Sequence, residues 1–221
     1  MEESSQFNSH KRNNLILFSL SVFYIFILGV AEEWLDTKFA YITLISAIYI
    51  ASIYTVRKRG AKFFYAPAFL VILTWLAEIF KLTYLSEITG ILSTIFFIYV
   101  IVLLITKVAK SNDVGILELL ESINVYLLLG IAGSILFKAV YAYHPAAFNF
   151  PGDLLPQHSN FIYFSFVTLT TLGYGDIAPV SSMARSLAIF FSVAGQLYLS
   201  MIIAMLVGKY IGKTSKNLTK Q

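Results

Sequence analysis

Cysteine is absent from the chain, which removes disulfides, thiolate metal sites and cysteine nucleophiles together. Histidine is scarce, and His10, His144 and His158 are terminal or in loops. Catalysis by the usual acid, base or nucleophile sets therefore has little to build on, and an enzyme is not expected. Charge is thin as well: 13% of residues are charged against 58% hydrophobic, which excludes a soluble domain and implies a polytopic, all-α membrane protein. The net charge of +4 does not point to nucleic acid, because the basic residues fall in short clusters at the ends of apolar runs.

Long apolar runs are what the chain does have. A membrane span needs about 20 mostly apolar residues, with a lower limit near 17. Six stretches qualify: 15–31, 39–56, 63–85, 88–106, 122–143 and 183–211. The first lacks a small-residue cleavage site after it, so it is expected to be a retained span. With a cytoplasmic N-terminus, 12 of the 16 basic residues fall on the cytoplasmic side, leaving Lys38, Lys81, Lys138 and Arg185 toward the other. A seventh apolar stretch, 161–172, is too short to cross.

That short stretch leads into Thr168-Leu169-Thr170-Thr171-Leu172-Gly173-Tyr174-Gly175-Asp176. Irregular backbone at membrane depth is tolerated only where protein buries it or it lines water. Gly173 and Gly175 reach positive φ readily, so alternating ordinary and glycine residues can turn successive carbonyls toward one axis. Such oxygens can replace the hydration shell of an alkali cation.

These residues resemble the signature of potassium channels, Thr-Val-Gly-Tyr-Gly-Asp, with Leu172 where valine is commoner. The likeness covers about 162–211 well, and the four preceding segments only in their number. It implies six transmembrane helices plus a re-entrant pore helix at about 160–171 and a selectivity filter at 171–175. The carbonyls of Thr171, Leu172, Gly173 and Tyr174, with the Thr171 hydroxyl, would then hold K+, as carbonyl rings do in potassium channels. Gly175 completes the ribbon, the side chains of Leu172 and Tyr174 point outward into protein, and Asp176, Tyr163 and Thr170 support the filter. Where many relatives carry a Trp pair in the pore helix this chain has Tyr163 and Phe164, and a glutamate found in some is Val167. Tyr163 still offers a hydroxyl to Asp176, with weaker bracing expected overall.

One chain supplies one filter strand, so a ring of oxygens implies a homotetramer. The resemblance implies no cofactor beyond K+ as permeant ion, and no partners beyond identical subunits and membrane lipids. The expected division is a cytoplasmic N-terminus at 1–14, a four-span bundle like a voltage sensor at 15–110, an amphipathic linker helix at 111–121, a pore domain at 122–211 and a short cytoplasmic tail at 212–221. Small size points to a prokaryotic plasma membrane. Voltage-gated relatives carry Arg at every third position of the fourth span, because a charge crossing the field is worth about 2.3 kcal/mol per 100 mV. Residues 88–106 contain no Arg or Lys, so steep voltage dependence is not expected. The alternatives are a less selective cation channel of the same architecture and a non-conducting regulatory subunit.

Other residues carry narrower expectations. Glu32-Glu33-Trp34-Leu35-Asp36 reads as an interfacial anchor, and Arg57-Lys58-Arg59-Gly60-Ala61-Lys62 as a cytoplasmic turn. Glu78 and Lys81 are one helical turn apart in the third span, either a structural pair or, through Glu78, a titrating modulator. His144 and His158 lie near the mouth as candidate proton sensors. Val114, Leu117 and Leu120 give the 111–121 segment its apolar face, with extension of the next span as the other reading. Gly130 and Gly133 suit close packing against the sixth span or a neighbouring subunit. Residues 144–159 read as a loop, and Ser181-Ser182 as the start of the last helix. Gly195 serves close packing or a hinge; Gln196 faces the cavity with Leu199, Ile203 and Val207 on its stripe as gating candidates.

Overall fold

The computed structural model describes residues 2–32, 34, 37–56, 62–111, 115–152 and 156–218. It is mostly helical: α1 (Glu2–Val22), α2 (Leu28–Ala31), α3 (Lys38–Val56), α4 (Lys62–Ile79), α5 (Thr83–Ala109), α6 (Ile116–Tyr143), α7 (His158–Leu169) and α8 (Ser182–Leu218). Among the described residues, five stretches are long and apolar enough to cross a membrane: Asn8–Ala31, Phe39–Val56, Tyr84–Ala109, Ile116–Tyr143 and Ser182–Met205. In α4 only Pro67–Ile79 is described as an apolar helix, shorter than a span. The chain divides into two compact units, Met1–Val108 and Ala109–Gln221.

In the first unit, α1 passes through a π-helical turn at Phe23–Ile27 into α2, and this rod lies along α3. Leu17, Tyr24, Tyr41, Ile48 and Ile53 are buried in the unit. Tyr24 and Tyr41 meet edge to face at 5.6 Å, and Tyr41 Oη donates to Glu32 Oε2 at 3.1 Å. One member of the expected acidic anchor is thus turned toward protein. Trp34 is exposed, while Glu33, Leu35 and Asp36 lie outside the described residues, as do 57–61 of the basic turn. Tyr49 carries α3 onto α5 by ring contacts with Phe96 and Phe97 at 5.7 and 6.1 Å. Lys107 Nζ donates to the Thr55 carbonyl at 3.0 Å, one of the last four α3 carbonyls that have no partner within the helix.

The third expected span, 63–85, is cut short. At its end the N–H of Leu82 bonds the Ala77 carbonyl (2.8 Å) and that of Lys81 the Glu78 carbonyl (3.2 Å), with Lys81 at φ 53. This pair of bonds around a left-handed residue is a Schellman ending. It stops α4 at Ile79 and gives 83–85 to α5. Glu78 and Lys81 therefore do not share a helical face as expected: Lys81 is the turn residue, and Ser86 Oγ of α5 donates to Glu78 Oε2 at 3.5 Å.

The second unit is built around α7. Glu118 Oε2 accepts the Gly115 N–H at 3.0 Å and starts α6 at Ile116, so residues 116–121 of the expected linker are the first turns of one continuous helix; 112–114 lie outside the described residues. The side chain of Asn160 accepts the Gln157 N–H at 2.8 Å and starts α7 at His158, two residues before the expected 160. Between α6 and α7 the expected loop contains a 3-10 turn, Pro145–Ala147, and a strand β1 (Phe148–Asn149). β1 pairs antiparallel with β2 (Ala178–Pro179), tying the stretch before α7 to the stretch after the glycine motif. Ser181 Oγ accepts the Ala184 N–H at 3.1 Å, an N-cap that starts α8 where expected. Phe137 of α6, fully buried, touches Phe164 of α7 (4.8 Å), Phe191 of α8 (5.6 Å) and Phe148 of β1 (6.0 Å). That ring is the centre of the core holding α7 in place.

Candidate functional site

Because α7 must end just before the glycine motif, its last turn sets the direction of the backbone that follows. The N–H of Thr171 bonds the Thr168 carbonyl (3.0 Å), and the N–H of Leu172 bonds the Val167 carbonyl (3.0 Å). Thr171 between them is at φ 59, so α7 closes in the same Schellman pattern that ends α4. Thr170 Oγ1 bonds back to the Phe166 carbonyl at 2.7 Å, occupying another carbonyl of the last turn. The helix thus ends at Leu169, short of the expected 171.

Beyond the turn the dihedrals alternate. Thr171, Gly173 and Gly175 have φ of 59, 59 and 79, while Leu172 and Tyr174 are not among the positive-φ residues. The Gly173 N–H also turns back to the Val167 carbonyl, at 3.4 Å. Among the described residues no backbone N–H bonds the carbonyls of Thr171, Leu172, Gly173, Tyr174 or Gly175. Three successive amides committed to α7, with a row of carbonyl oxygens free of backbone donors, form an arrangement suited to a cation.

Around this ribbon the structure brings several expected residues together. Tyr163 Oη donates to Asp176 Oδ2 at 2.7 Å. That hydrogen bond is the first cause holding the Asp176 carboxyl below its ordinary value and the first cause pushing Tyr163 up to about 12. Gln196 Nε2 donates to Thr171 Oγ1 at 2.8 Å. Leu199 and Ile203 follow on the exposed face of α8; the side chain of Val207 lies outside the described residues. Leu172 and Tyr174 are 56% and 67% exposed in the protomer, so their side chains are not covered by their own chain. Of the candidate sensors, His144 is exposed at the end of α6, and His158 Nε2 contacts Lys138 Nζ at the start of α7.

Three glycines explain how α7 is seated. A Cβ on Gly195 would lie 2.1 Å from the Leu169 carbonyl oxygen, so α8 touches the end of α7 backbone to backbone, and close packing accounts for this glycine. Gly130 faces the Phe166 ring, and Gly133 faces Ser165 Oγ and then Phe191. Both therefore pack first on α7, and Gly133 also meets the sixth expected span through Phe191. Ser165, which sequence reasoning passed over, is buried and donates to the Gly130 carbonyl at 2.7 Å; a lone hydroxyl amid the aromatics of 161–166 was the available signal. Leu169 and Val167 act through carbonyls, which no side-chain pattern announces.

Two outcomes follow from this geometry. Gly195→Ala lowers the thermal midpoint of the purified protein and disturbs the 169–171 turn. Gly208→Ala, where nothing lies within 4 Å, is neutral or stabilising by up to about 1 kcal/mol from helix propensity. The Tyr163–Asp176 bond has its own pH window. The lowered carboxyl contributes stability above its ordinary value of 3.8, lost as pH falls through the depressed one. The raised phenol contributes below its ordinary 10.0, lost as pH rises through about 12. The midpoint difference between wild type and Tyr163→Phe is therefore constant in the middle of the range and shrinks at both ends, which thermal unfolding across pH measures.

Comparison with known proteins agrees with this half of the molecule. The family model described as "Ion channel" matches residues 125–211. A protein of Oryza sativa subsp. japonica described as "Two pore potassium channel b" is 31% identical over 96 residues, which is 43% of this chain and 23% of the relative. The match thus spans about a quarter of that relative's length. No solved structure matches the chain. Residues 125–211 are thus similar to the ion-channel family, and both matches point to a channel rather than an enzyme.

Proposed function

We propose that the chain is one protomer of a homotetrameric K+-selective channel of a plasma membrane, conducting passively through residues 171–175. The observation that carries this reading is the alternation of φ along that ribbon, with the amides of Thr171, Leu172 and Gly173 turned back to α7 and no backbone N–H among the described residues on its five carbonyls. One ribbon cannot surround an ion, so four copies are needed to supply the ring. The exposure of Leu172 and Tyr174 in the protomer fits neighbouring copies supplying the protein behind them. The potassium in the name of the rice relative favours K+ among alkali cations.

α4, at 18 residues, reaches about 27 Å at 1.5 Å per residue, close to the roughly 30 Å hydrocarbon core, and serves as the third of six spans. Both termini lie in the cytoplasm on the distribution of basic residues, in a cell membrane of prokaryotic type. Steep voltage dependence is absent. Lys107 is the sole Lys or Arg of α5, and it is held on the Thr55 carbonyl at the end of α3 rather than riding in the field. The exposed stripe of Leu199 and Ile203, continued in sequence by Val207, is the gate candidate, closing by dewetting.

The purified protein in K+-loaded liposomes tests the reading. Wild type is expected to pass K+ well ahead of Na+ in bi-ionic reversal potentials, with open probability changing little over 100 mV. Gly173→Ala meets no neighbouring atom yet forces alanine to φ +59, a cost of about 1–2 kcal/mol per copy, and is expected to abolish K+ selectivity or flux. Equal K+ and Na+ permeability would replace the proposal with the less selective channel, and no flux in either ion with a non-conducting subunit.

A further inference from the structure

Adjacent residues of α8 touch the junction between pore helix and filter in different ways. Gly195 lets the backbone of α8 rest on the Leu169 carbonyl, where a Cβ would stand 2.1 Å from the oxygen. Gln196, one residue on, extends its amide to the first filter residue and donates from Nε2 to Thr171 Oγ1 at 2.8 Å. The donor therefore starts from a backbone that cannot slide along α7 without collision, which makes its reach reproducible.

Thr171 benefits from such a donor. It is β-branched and sits at φ 59, a region where branched residues are outliers, and an unheld threonine side chain divides between staggered rotamers. A threonine oxygen has two acceptor lone pairs and one O–H. The Gln196 amide occupies one lone pair and leaves the other with a fixed direction. Both residues are exposed in the protomer, as are residues 172–175 of the ribbon.

We propose that Gln196 is a positioning residue for the cation site at the Thr171 end of the ribbon: its amide holds the Thr171 hydroxyl oxygen in place as a ligand. Gln196 thereby sets how tightly that site takes a cation of K+ size. The inference rests on the channel reading and on four copies meeting at one axis. It differs from a role as a cavity-lining dipole, because Gln196 then acts on the ion only through Thr171.

Ba2+, close to K+ in radius with twice the charge, is the probe, applied to the full-length protein in liposomes and in detergent. The readouts are the Ba2+ concentration that halves K+ flux and the K+ and Ba2+ concentrations giving half-maximal protection against heat. Gln196→Met, similar in shape with no donor, is expected to raise these concentrations by about three- to tenfold, the factor expected for one lost neutral hydrogen bond. Gln196→Asn, an amide too short to reach, moves them in the same direction. In a Thr171→Val background, which keeps the branch and removes the hydroxyl, the Gln196 substitutions change nothing further. The heat-protection readout needs no conduction, so a folded but silent variant still answers. A shift under twofold in both Gln196 variants overturns the inference, and so does a full shift persisting in Thr171→Val. Wild type that neither conducts K+ nor is protected by it defeats the channel reading itself.

Discussion

The end of α7 has to stop the helix and reverse its amides within one residue, and a threonine in the left-handed region does so. Left-handed backbone costs an L-residue about 1–2 kcal/mol, and glycine is the usual occupant of the turn position of a Schellman ending. The two non-glycine residues at positive φ among those described, Lys81 and Thr171, occupy that same position in two helix endings. At Lys81 the turn only terminates α4. At Thr171 glycine would relieve the strain and remove the hydroxyl, so the strain coincides with the chemistry of the ribbon, as local strain often does at functional sites. Two backbone bonds to Val167 and one to Thr168, with the Gln196 amide on the hydroxyl, offset the cost.

Such a turn is only as firm as the helix before it. In lipid there is little hydrophobic drive between helices, and close packing with interhelical hydrogen bonds replaces it. α7 is gripped on both principles. Small residues on α6 and α8 admit its large ones: Gly130 beneath Phe166, Gly133 beneath Ser165, Gly195 against Leu169. The Phe137 ring, one turn on from Gly133, joins α6, α7, α8 and β1. β1 and β2 close the far end of the segment by pairing the chain before α7 with the chain after Asp176, and the Tyr163–Asp176 bond crosses the same gap. The ribbon is therefore braced at Thr171 from α8 and at Asp176 from α7. The first unit shows the opposite use of charge. Its single α5 cation ends on a helix carbonyl, where it favours the negative end of the α3 dipole.

Short-range chemistry was legible in the residues themselves. Glycines at alternate positions dictate which backbone shapes are open to 171–175, apolar runs of sufficient length dictate helices, and Ser181 announces the start of α8. The Tyr163 hydroxyl was readable too, since Asp176 lies only thirteen positions further along the chain. Helix ends were less legible: α4 stops at Ile79 and α7 at Leu169 because lysine and threonine take a conformation their residue types disfavour. The linker stretch, with Glu118 capping Gly115, joined the fifth helix because nothing at 116–121 interrupts its backbone.

The amino-acid sequence by itself determined that the chain is helical and suited to a membrane, with one glycine ribbon, because hydropathy, length and glycine placement act within a few residues of one another. Tertiary structure alone decided what Gly195, Gly130 and Gly133 are for, and which donor meets the Thr171 hydroxyl. Those outcomes depend on which carbonyl, ring or amide arrives from a helix tens of residues away, and no local pattern encodes the identity of that neighbour.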